Sequence, residues 1–250
     1  IYASISGFGQ DGPDSQRPGV DQIIQGMSGL MSITGEPTQG PMRVGIAMSD
    51  TSAGMFLGQG ILLALLHRER TGQGQWVHTS LLEAMMSKLD FQGARYTMSG
   101  EEPTQQGNDH PTQVPMGMFE AKNGYVNIAA FGGQMWQRFC QALNATSLFD
   151  HPDYQSVGSR TRHRDQIKTD MNAITAQYSV ADLVQRLNQA GVPCGAINTV
   201  KEAFENPQVK HLGMSVPVSH ETLGEINLVR SPINLSDFPH PAKLSRGAPD

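Results

Sequence analysis

The stretch GIAMSDTSAG, residues 45–54, runs directly into GMFLGQGILLALLHRER, residues 54–70, and together they decide the fold. The second run is apolar over most of its length, so it predicts a largely buried helix. Its longest apolar part, residues 54–66, is interrupted by Gln59 and is shorter than the ~20 residues that a membrane-spanning helix needs. One carboxylate, Asp50, stands where this helix should begin. Asp50 is either a helix cap or a reactive group, and the surrounding sequence decides between these interpretations.

Strand-like and helix-like patterns alternate on both sides of this helix, as they do in α/β folds. The predicted elements are a strand over 1–6, a helix over about 20–32, a short strand over 43–47, the Asp50 helix from near 51 to about 68, a strand over 76–81 and a helix over 81–98. The glycines in TGQGQ, just after the Asp50 helix, predict its C-terminal cap.

A polar stretch rich in helix breakers, SGEEPTQQGNDHPTQVP at 99–115, predicts a domain boundary. After it, Asn123-Gly124 between two alternating segments predicts a β-hairpin over 116–130. The remaining predicted elements are the helices GQMWQRFCQAL, TRHRDQIKTDMNAITAQY and SVADLVQRLNQAG, an extended segment VPCGAINTV, a short helix TVKEAFENP and a hairpin around Leu223-Gly224. These short, mixed elements predict a second compact domain.

Charge and cysteine content exclude several classes of function. The net charge of −5 and the absence of a lysine or arginine run argue against nucleic acid or an anionic membrane as the main partner. Small molecules are the expected ligands. Cys140 and Cys194 lie far apart without metal-ligand spacing, and no histidine pair stands at such spacing, so neither a metal site nor a disulfide framework is expected. A reducing cytoplasm fits this cysteine content.

The segment GFGQDG, residues 7–12, matches the G-x-G-x-x-G pattern of dinucleotide-binding turns and follows a predicted strand. An NAD-dependent dehydrogenase is therefore one alternative. The pattern requires its third glycine to open a helix, whose N-terminus holds the pyrophosphate, but residues 13–18 have a loop-like composition. A glycine loop at the end of a strand, lining a ligand crevice, is the preferred interpretation.

Five segments taken together resemble the family III CoA-transferases, the group of formyl-CoA transferase and carnitine CoA-transferase. They are SISGFGQDGP, RPGVDQIIQGMSGLMSITGEP, GIAMSDTSAGMFLGQGILLALLHRERTGQGQWVHTSLLEA, FEAKNGYVNIAA and AGVPCGAINTVKEAFENPQV. They stand in the family's order and cover nearly the whole chain. The resemblance implies part of a large Rossmann-like α/β domain plus a small α+β domain joined by long linkers, in an interlocked homodimer.

The resemblance also implies domain boundaries. Residues 1–92 would be the second half of the large CoA-binding domain, 93–115 a linker, 116–205 the small α+β domain and 206–250 a return linker. Because relatives carry further sequence on both sides, the chain is expected to be a fragment. An inactive fragment or a CoA-binding module of the same fold is therefore the second functional hypothesis.

In this family an aspartate in the block matching MSDTSAG attacks the acyl-CoA thioester and forms a covalent aspartyl intermediate, and that residue is Asp50 here. CoA and acyl-CoA are thus substrates, with a small carboxylic acid as acceptor and no tightly bound cofactor. The positive end of the helix dipole would favour the charged carboxylate of Asp50. The residues implied to bind CoA are Gly7, Phe8, Gly9, Arg17, Pro18, Gly19, Val20 and Asp21.

Two departures from the family pattern narrow the chemistry. The related acyl-CoA racemases place a catalytic histidine where this sequence has Val20, so their proton-abstraction route lacks its base. Many transferases have tyrosine there, so Val20 makes the acyl pocket less polar. The glycine-rich loop that formyl-CoA transferases insert after the position of Val114-Pro115 is missing. This absence favours dicarboxylic or longer acids over formyl or oxalyl groups.

Overall fold

The computed structural model describes residues 1–240, which form a mixture of helices and strands in agreement with the predicted α/β class. Residues 241–250, the end of the predicted return linker, lie outside the described residues. Within residues 1–240, no helix is both long enough and apolar enough to cross a membrane.

The first group of elements is built around one parallel strand pair. Its elements are β1 (Tyr2–Ser6), α1 (Asp21–Met27), α2 (Leu30–Ile33), α3 (Met48–Thr71), β2 (Trp76–Ser80), α4 (Leu81–Lys88) and α5 (Asp90–Ser99). β1 pairs with β2 from Tyr2 opposite Trp76 to Ser6 opposite Ser80. α3 lies in the crossover between the strands, because parallel neighbours cannot be joined by a tight turn.

The ends of α3 and α4 follow from local side chains and backbone angles. Gly72 has a φ of 73°, and its N–H donates to the carbonyl of Arg68 at 2.8 Å, which confirms the predicted glycine cap. At the start of α4, the Ser80 hydroxyl accepts the amide of Glu83 at 3.1 Å. This N-cap explains why the chain changes from strand to helix without a loop.

Three predicted elements of this group are wrong in detail. The helix over 20–32 is broken into α1 and α2, because Gly29 takes a left-handed φ of 86°. The helix over 81–98 is likewise divided, since Asp90 has a φ of 51°. The strand over 43–47 is absent: the Val44 amide donates to the side-chain oxygen of Gln25 at 2.9 Å instead of to a neighbouring strand.

The second group of elements is an antiparallel sheet covered by helices. Its elements are β3 (Met116–Ala121), β4 (Gly124–Ala129), α6 (Gly133–Ala142), α7 (Thr146–Phe149), α8 (Val157–Arg162), α9 (Arg164–Thr175), α10 (Val180–Gln189) and β5 (Cys194–Ala196). The sheet order is β3-β4-β5, and β3 and β4 form the predicted hairpin. The long helix expected over 161–178 is divided at His163, which leaves helical geometry at φ −106° and ψ 31°.

The last described elements begin at the end of the segment predicted as the small domain, with α11, and continue into the predicted return linker, 206–250. They are α11 (Val200–Glu205), α12 (Pro207–His211), β6 (Ser215–His220) and β7 (Gly224–Val229). Thr199 and Glu202 form a capping box at the start of α11. β6 and β7 pair as an antiparallel hairpin, which confirms the hairpin predicted around Leu223-Gly224.

Each group has its own hydrophobic core. The core of the second group includes Phe119, Ile128, Phe139 and Leu183, each at most 2% exposed. The core of the first group is smaller, and it consists of the buried residues Ile24, Ala53, Leu81, Ala84 and Met85.

α3 contradicts the prediction of a largely buried helix. Its only buried residues are Ser49, Ser52, Ala53 and Ala64, whereas Leu62 and Leu63 are 67% and 68% exposed. The reason is that, among the described residues, α1, α4 and the two strands pack against α3 on one side.

The breaker-rich stretch, 99–115, forms hydrogen bonds with both groups of elements. The Gln105 side-chain amide donates to the carbonyls of Thr34 at 2.6 Å and Gly40 at 2.7 Å. On the other side, the Arg164 guanidinium donates to the Gln106 side chain at 2.6 Å. A further contact is the ion pair between Lys168 and Asp109. Part of the predicted linker 93–115 is also helical, because α5 continues to Ser99.

Candidate active site

Asp50 lies in the first turn of α3. The helix begins at Met48 rather than near Thr51, so Asp50 lies two residues inside the helix and not, as predicted, at its start. The N-cap residue is Ala47, which has no capping side chain, so the interpretation of Asp50 as the N-cap is wrong. Asp50 is exposed, and within residues 1–240 its carboxylate has no hydrogen-bond or ion-pair partner. The carboxylate is therefore accessible.

The electrostatic setting of Asp50 follows from its place on a 24-residue helix. The first turn of a helix carries free N–H groups and the positive end of the macrodipole, which together stabilise an anionic side chain. A carboxylate nucleophile has to remain ionised and reachable. The position of Asp50 in this first turn leaves its carboxylate reachable.

The predicted glycine loop packs backbone against backbone. A Cβ atom added to Gly7 would lie 2.8 Å from the Cα of Gly19, and one added to Gly19 would lie 2.8 Å from the Cα of Gly7. No real Cβ contact is that short, so both positions require glycine for close approach. Gly9 has a φ of 112°, and its amide donates to the Ser6 hydroxyl at 3.0 Å. The structure thus brings Gly7 and Gly19 together.

Phe8 connects this loop to Arg17 and to the Asp50 helix. The Arg17 guanidinium lies over the Phe8 ring, 5.0 Å from its centroid, and forms an exposed ion pair with Asp14 at 3.0 Å. Phe8 also packs against the core cluster to which Met48 of α3 is attached. The loop and the start of α3 therefore pack against the same hydrophobic core. Pro18 and Val20 are exposed beside it, Val20 at 62%.

Asp21 differs from the other predicted CoA-binding residues because it is 8% exposed and fully engaged within the protein. One carboxylate oxygen accepts the amide and the hydroxyl of Ser49, both at 2.9 Å. The other accepts the Gln25 amide at 2.8 Å and the Arg43 guanidinium at 3.3 Å. Burial alone raises the pKa of Asp21, but these hydrogen bonds outweigh burial and lower that pKa below its ordinary value.

Sequence reasoning missed Gln25, Arg43 and Ser49 as parts of this site. The i, i+4 spacing of Asp21 and Gln25 on one helix is a signal that could have paired them. Ser49 is 28 residues from Asp21, and no local pattern connects two positions so far apart.

The dinucleotide-binding alternative lacks its required helix. After Gly12 the chain continues through turns and bends, and the next helix, α1, begins only at Asp21. A pyrophosphate at G-x-G-x-x-G needs the helix N-terminus that these residues do not form. In the described part of the chain, residues 1–240, no group of three His, Cys, Asp or Glu side chains has the arrangement of a metal site.

The residue pattern of the family described as "CoA-transferase family III" matches residues 1–250. The chain belongs to this family. Several known CoA-transferases are similar to this chain over nearly its whole length. A succinate–glutarate CoA-transferase of Agrobacterium fabrum is 35% identical over 96% of this chain and 60% of its own length. A succinyl-CoA:glutarate CoA-transferase of Mus musculus is 34% identical over 100% of this chain and 56% of its own length.

Solved structures show the same fold. The crystal structure of a CAIB/BAIF family protein from Brucella suis is 34% identical, with a TM-score of 0.81 over 95% of this chain and 61% of that chain. Rv3272 from Mycobacterium tuberculosis reaches a TM-score of 0.84 over 96% of this chain and 63% of its own, at 22% identity. These similarities confirm the α/β fold class. The family III chain spans about three fifths of the length of these proteins.

Proposed function

We propose that the protein containing these residues transfers CoA from an acyl-CoA donor to a carboxylic acid, with Asp50 as the covalent nucleophile. The observation that carries this proposal is the Asp50 carboxylate itself, which is exposed, without a partner in residues 1–240, and in the first turn of α3. Membership of CoA-transferase family III supplies the reaction class.

The reaction proceeds through two acyl exchanges without net proton transfer. An Asp50 oxygen attacks the donor thioester carbonyl, the C–S bond breaks, and a mixed anhydride and CoA thiolate form. The thiolate then attacks the Asp50 carbonyl, which releases the donor acid and leaves an aspartyl-CoA thioester. The acceptor carboxylate reverses these two steps, so that it leaves as the new acyl-CoA and Asp50 is regenerated.

The surroundings of Asp50 support binding of a large substrate. At Gly9 the loop offers backbone without a side chain, where an added Cβ would have only the Asp11 carbonyl within 4 Å, at 3.7 Å, and Arg17 supplies an exposed cation that can meet an anionic group. We therefore retain as CoA contacts the predicted residues Gly7, Phe8, Gly9, Arg17, Pro18, Gly19 and Val20. The interlocked homodimer and the cytoplasmic location remain predictions.

Dicarboxylic acids are the acceptors that we propose. Relatives at 34–35% identity are named for succinate and glutarate. An acetyl-CoA:oxalate CoA-transferase of Acetobacter aceti is 31% identical over 100% of this chain and 63% of its own length. This name does not support the sequence-based expectation that oxalyl groups are disfavoured, so oxalate is kept among the candidate acceptors. Succinate, glutarate and oxalate should be compared as acceptors under identical conditions.

Chemical trapping tests the covalent step. The complete protein is incubated with succinyl-CoA and quenched with hydroxylamine or borohydride, each of which modifies an aspartyl anhydride or thioester. Peptide mass spectrometry should find the modification at Asp50, only in the presence of succinyl-CoA. Modification elsewhere, or none in a protein that transfers CoA, would refute Asp50 as the nucleophile. Tight CoA binding without transfer would instead favour the CoA-binding module.

A further inference from the structure

The first turn of α3 is capped by a residue from another helix. Ala47, at the N-cap position, offers no side chain, yet the Ser49 amide is a first-turn donor that needs an acceptor. Asp21, 28 residues earlier on α1, accepts this amide and the Ser49 hydroxyl, both at 2.9 Å. The carboxylate of Asp21 therefore serves as the N-terminal cap of α3.

Gln25 extends this attachment to the segment that precedes α3. Its side chain is 0% exposed, and it donates to the Ile46 carbonyl at 3.0 Å and accepts the Val44 amide at 2.9 Å. Gln25 also donates to Asp21 at 2.8 Å. Asp21 and Gln25, one turn apart on α1, thus hold the backbone of residues 44–49.

Asp50 receives its position from this backbone. Its own carboxylate has no hydrogen-bond or ion-pair partner within residues 1–240, so no side-chain contact there orients it. The residue directly before it, Ser49, is 0% exposed and fixed by two hydrogen bonds to Asp21. A shift of that turn would therefore move the reactive oxygens.

The hydrogen-bonding capacity of Asp21 argues against a role in binding substrate. An ionised carboxylate offers about four lone-pair sites. Four protein donors already occupy them, two from Ser49 and one each from Gln25 and Arg43. A substrate donor could bind only by displacing one of these groups, and Asp21 is 8% exposed.

We infer that Asp21 is a positioning residue, which sets the first turn of α3 and thereby the direction of the Asp50 carboxylate, and that it does not bind CoA. This inference rests on the proposed function, in which Asp50 is the nucleophile. It revises the assignment of Asp21 that the family resemblance implies.

The test is Asp21→Asn in the complete protein. All four partners donate hydrogen bonds to Asp21. In the variant, one carboxylate oxygen becomes an N–H₂ group, which faces an N–H donor in either orientation of the amide, so at least one hydrogen bond is lost. We expect kcat to fall by about a hundredfold, the usual consequence of a misplaced reacting group. KM for succinyl-CoA should stay within about threefold of the parent value, because no substrate contact is removed.

Glu83→Gln is the matched control. Glu83 accepts the hydroxyl of Ser80, the N-cap residue of α4, at 2.7 Å, so it is also a carboxylate that supports the capped start of a helix in the same group. We expect a reduced Tm without a change in kcat. If Asp21→Asn does not fold, Ser49→Ala tests the positioning role instead, because it removes only the hydrogen bond from the Ser49 hydroxyl to Asp21. Its expected loss in kcat is about two- to tenfold.

Each of the following outcomes would overturn the inference. A raised KM with unchanged kcat would make Asp21 a substrate ligand, and an unchanged kcat with a lower Tm would make it purely structural. Asp50→Asn is assayed in parallel to separate this test from that of the proposed function. If Asp50→Asn is inactive while Asp21→Asn keeps its kcat, only the positioning role fails. If Asp50→Asn is active, both proposals fail.

Discussion

Replacement of Asp50 by asparagine separates the chemistry of this carboxylate from its contribution to folding. In residues 1–240 the side chain has no hydrogen bond or ion pair to lose, and it is exposed, so its packing contribution is small. The remaining contribution of Asp50 to the free energy of unfolding is its interaction with the helix dipole in the first turn of α3, which is worth about 0.3–1 kcal/mol at an exposed position. For a protein of this size that corresponds to a fall in Tm of about 1–4 °C.

The loss of catalytic activity in Asp50→Asn should be much larger than its loss of stability. Asparagine keeps the size of the side chain but removes the anionic oxygen that attacks the thioester, so CoA transfer should fall by about 10⁴-fold or more. The assay is transfer of CoA from succinyl-CoA to glutarate, measured by separating the two thioesters, with Tm recorded on the same preparation. Asp50→Ala should lose the same activity.

Asp165→Asn is the control for Asp50→Asn. Asp165 is also exposed, also lies in the first turn of a helix, α9, and has no side-chain partner among residues 1–240. We expect a similar small change in Tm and full transfer activity. A folded Asp50→Asn protein that transfers CoA at a rate near that of the parent would refute the nucleophile.

Three further predictions concern close approach, pH and thiol reactivity. Gly7→Ala forces two backbones apart and should destabilise the protein by about 1–3 kcal/mol, whereas Gly58→Ala, with open space around it in α3, should stabilise it by up to about 1 kcal/mol. The lowered pKa of Asp21 contributes stability above its unfolded pKa of about 4 that is lost as pH falls through the folded value, so urea midpoints should decline below about pH 4, and less steeply in Asp21→Asn. Burial raises the pKa of Cys140 to about 12 and that of Cys194 to about 11, so both thiols should react slowly with iodoacetamide near neutral pH, Cys140 more slowly.

Each of these predictions has an opposing result. Equal thermal stability of Gly7→Ala and the parent would show that the loop relaxes freely around the added methyl group. Identical acid profiles of the parent and Asp21→Asn would show that the hydrogen bonds of Asp21 do not depend on its charge. Rapid alkylation of Cys140 in the folded protein would show that this thiol is reachable and ionised.

The sequence predicted those parts of the fold that depend on short-range patterns. The Asn123-Gly124 turn, the glycine after α3 and the hairpin around Leu223-Gly224 were all predicted from neighbouring residues and are confirmed. The predicted secondary structure was wrong where a hydrogen-bond partner distant in sequence determines the local backbone structure. The expected strand over 43–47 is absent because Gln25, on another helix, takes up its backbone groups.

The same distinction applies to the site. Asp50 was predicted as the nucleophile from the segment MSDTSAG, and the structure places it, exposed, in the first turn of α3. The helix start was misplaced because its cap comes from Asp21 rather than from a neighbouring residue. Gln25 and Arg43 were not selected at all, since their role depends on the packing of α1 against the segment before α3.

The stretch 99–115 has the composition of a flexible tether, and a protein engineer reading only the sequence would divide the chain there. Its hydrogen bonds argue against that choice. A cut before Gln105 would deprive the carbonyls of Thr34 and Gly40 of their donor, and a cut after Asp109 would leave Lys168 of α9 without its counter-ion. Either half would then expose polar groups that the intact chain satisfies, so the two halves are expected to be poorer folding units than their separate cores suggest.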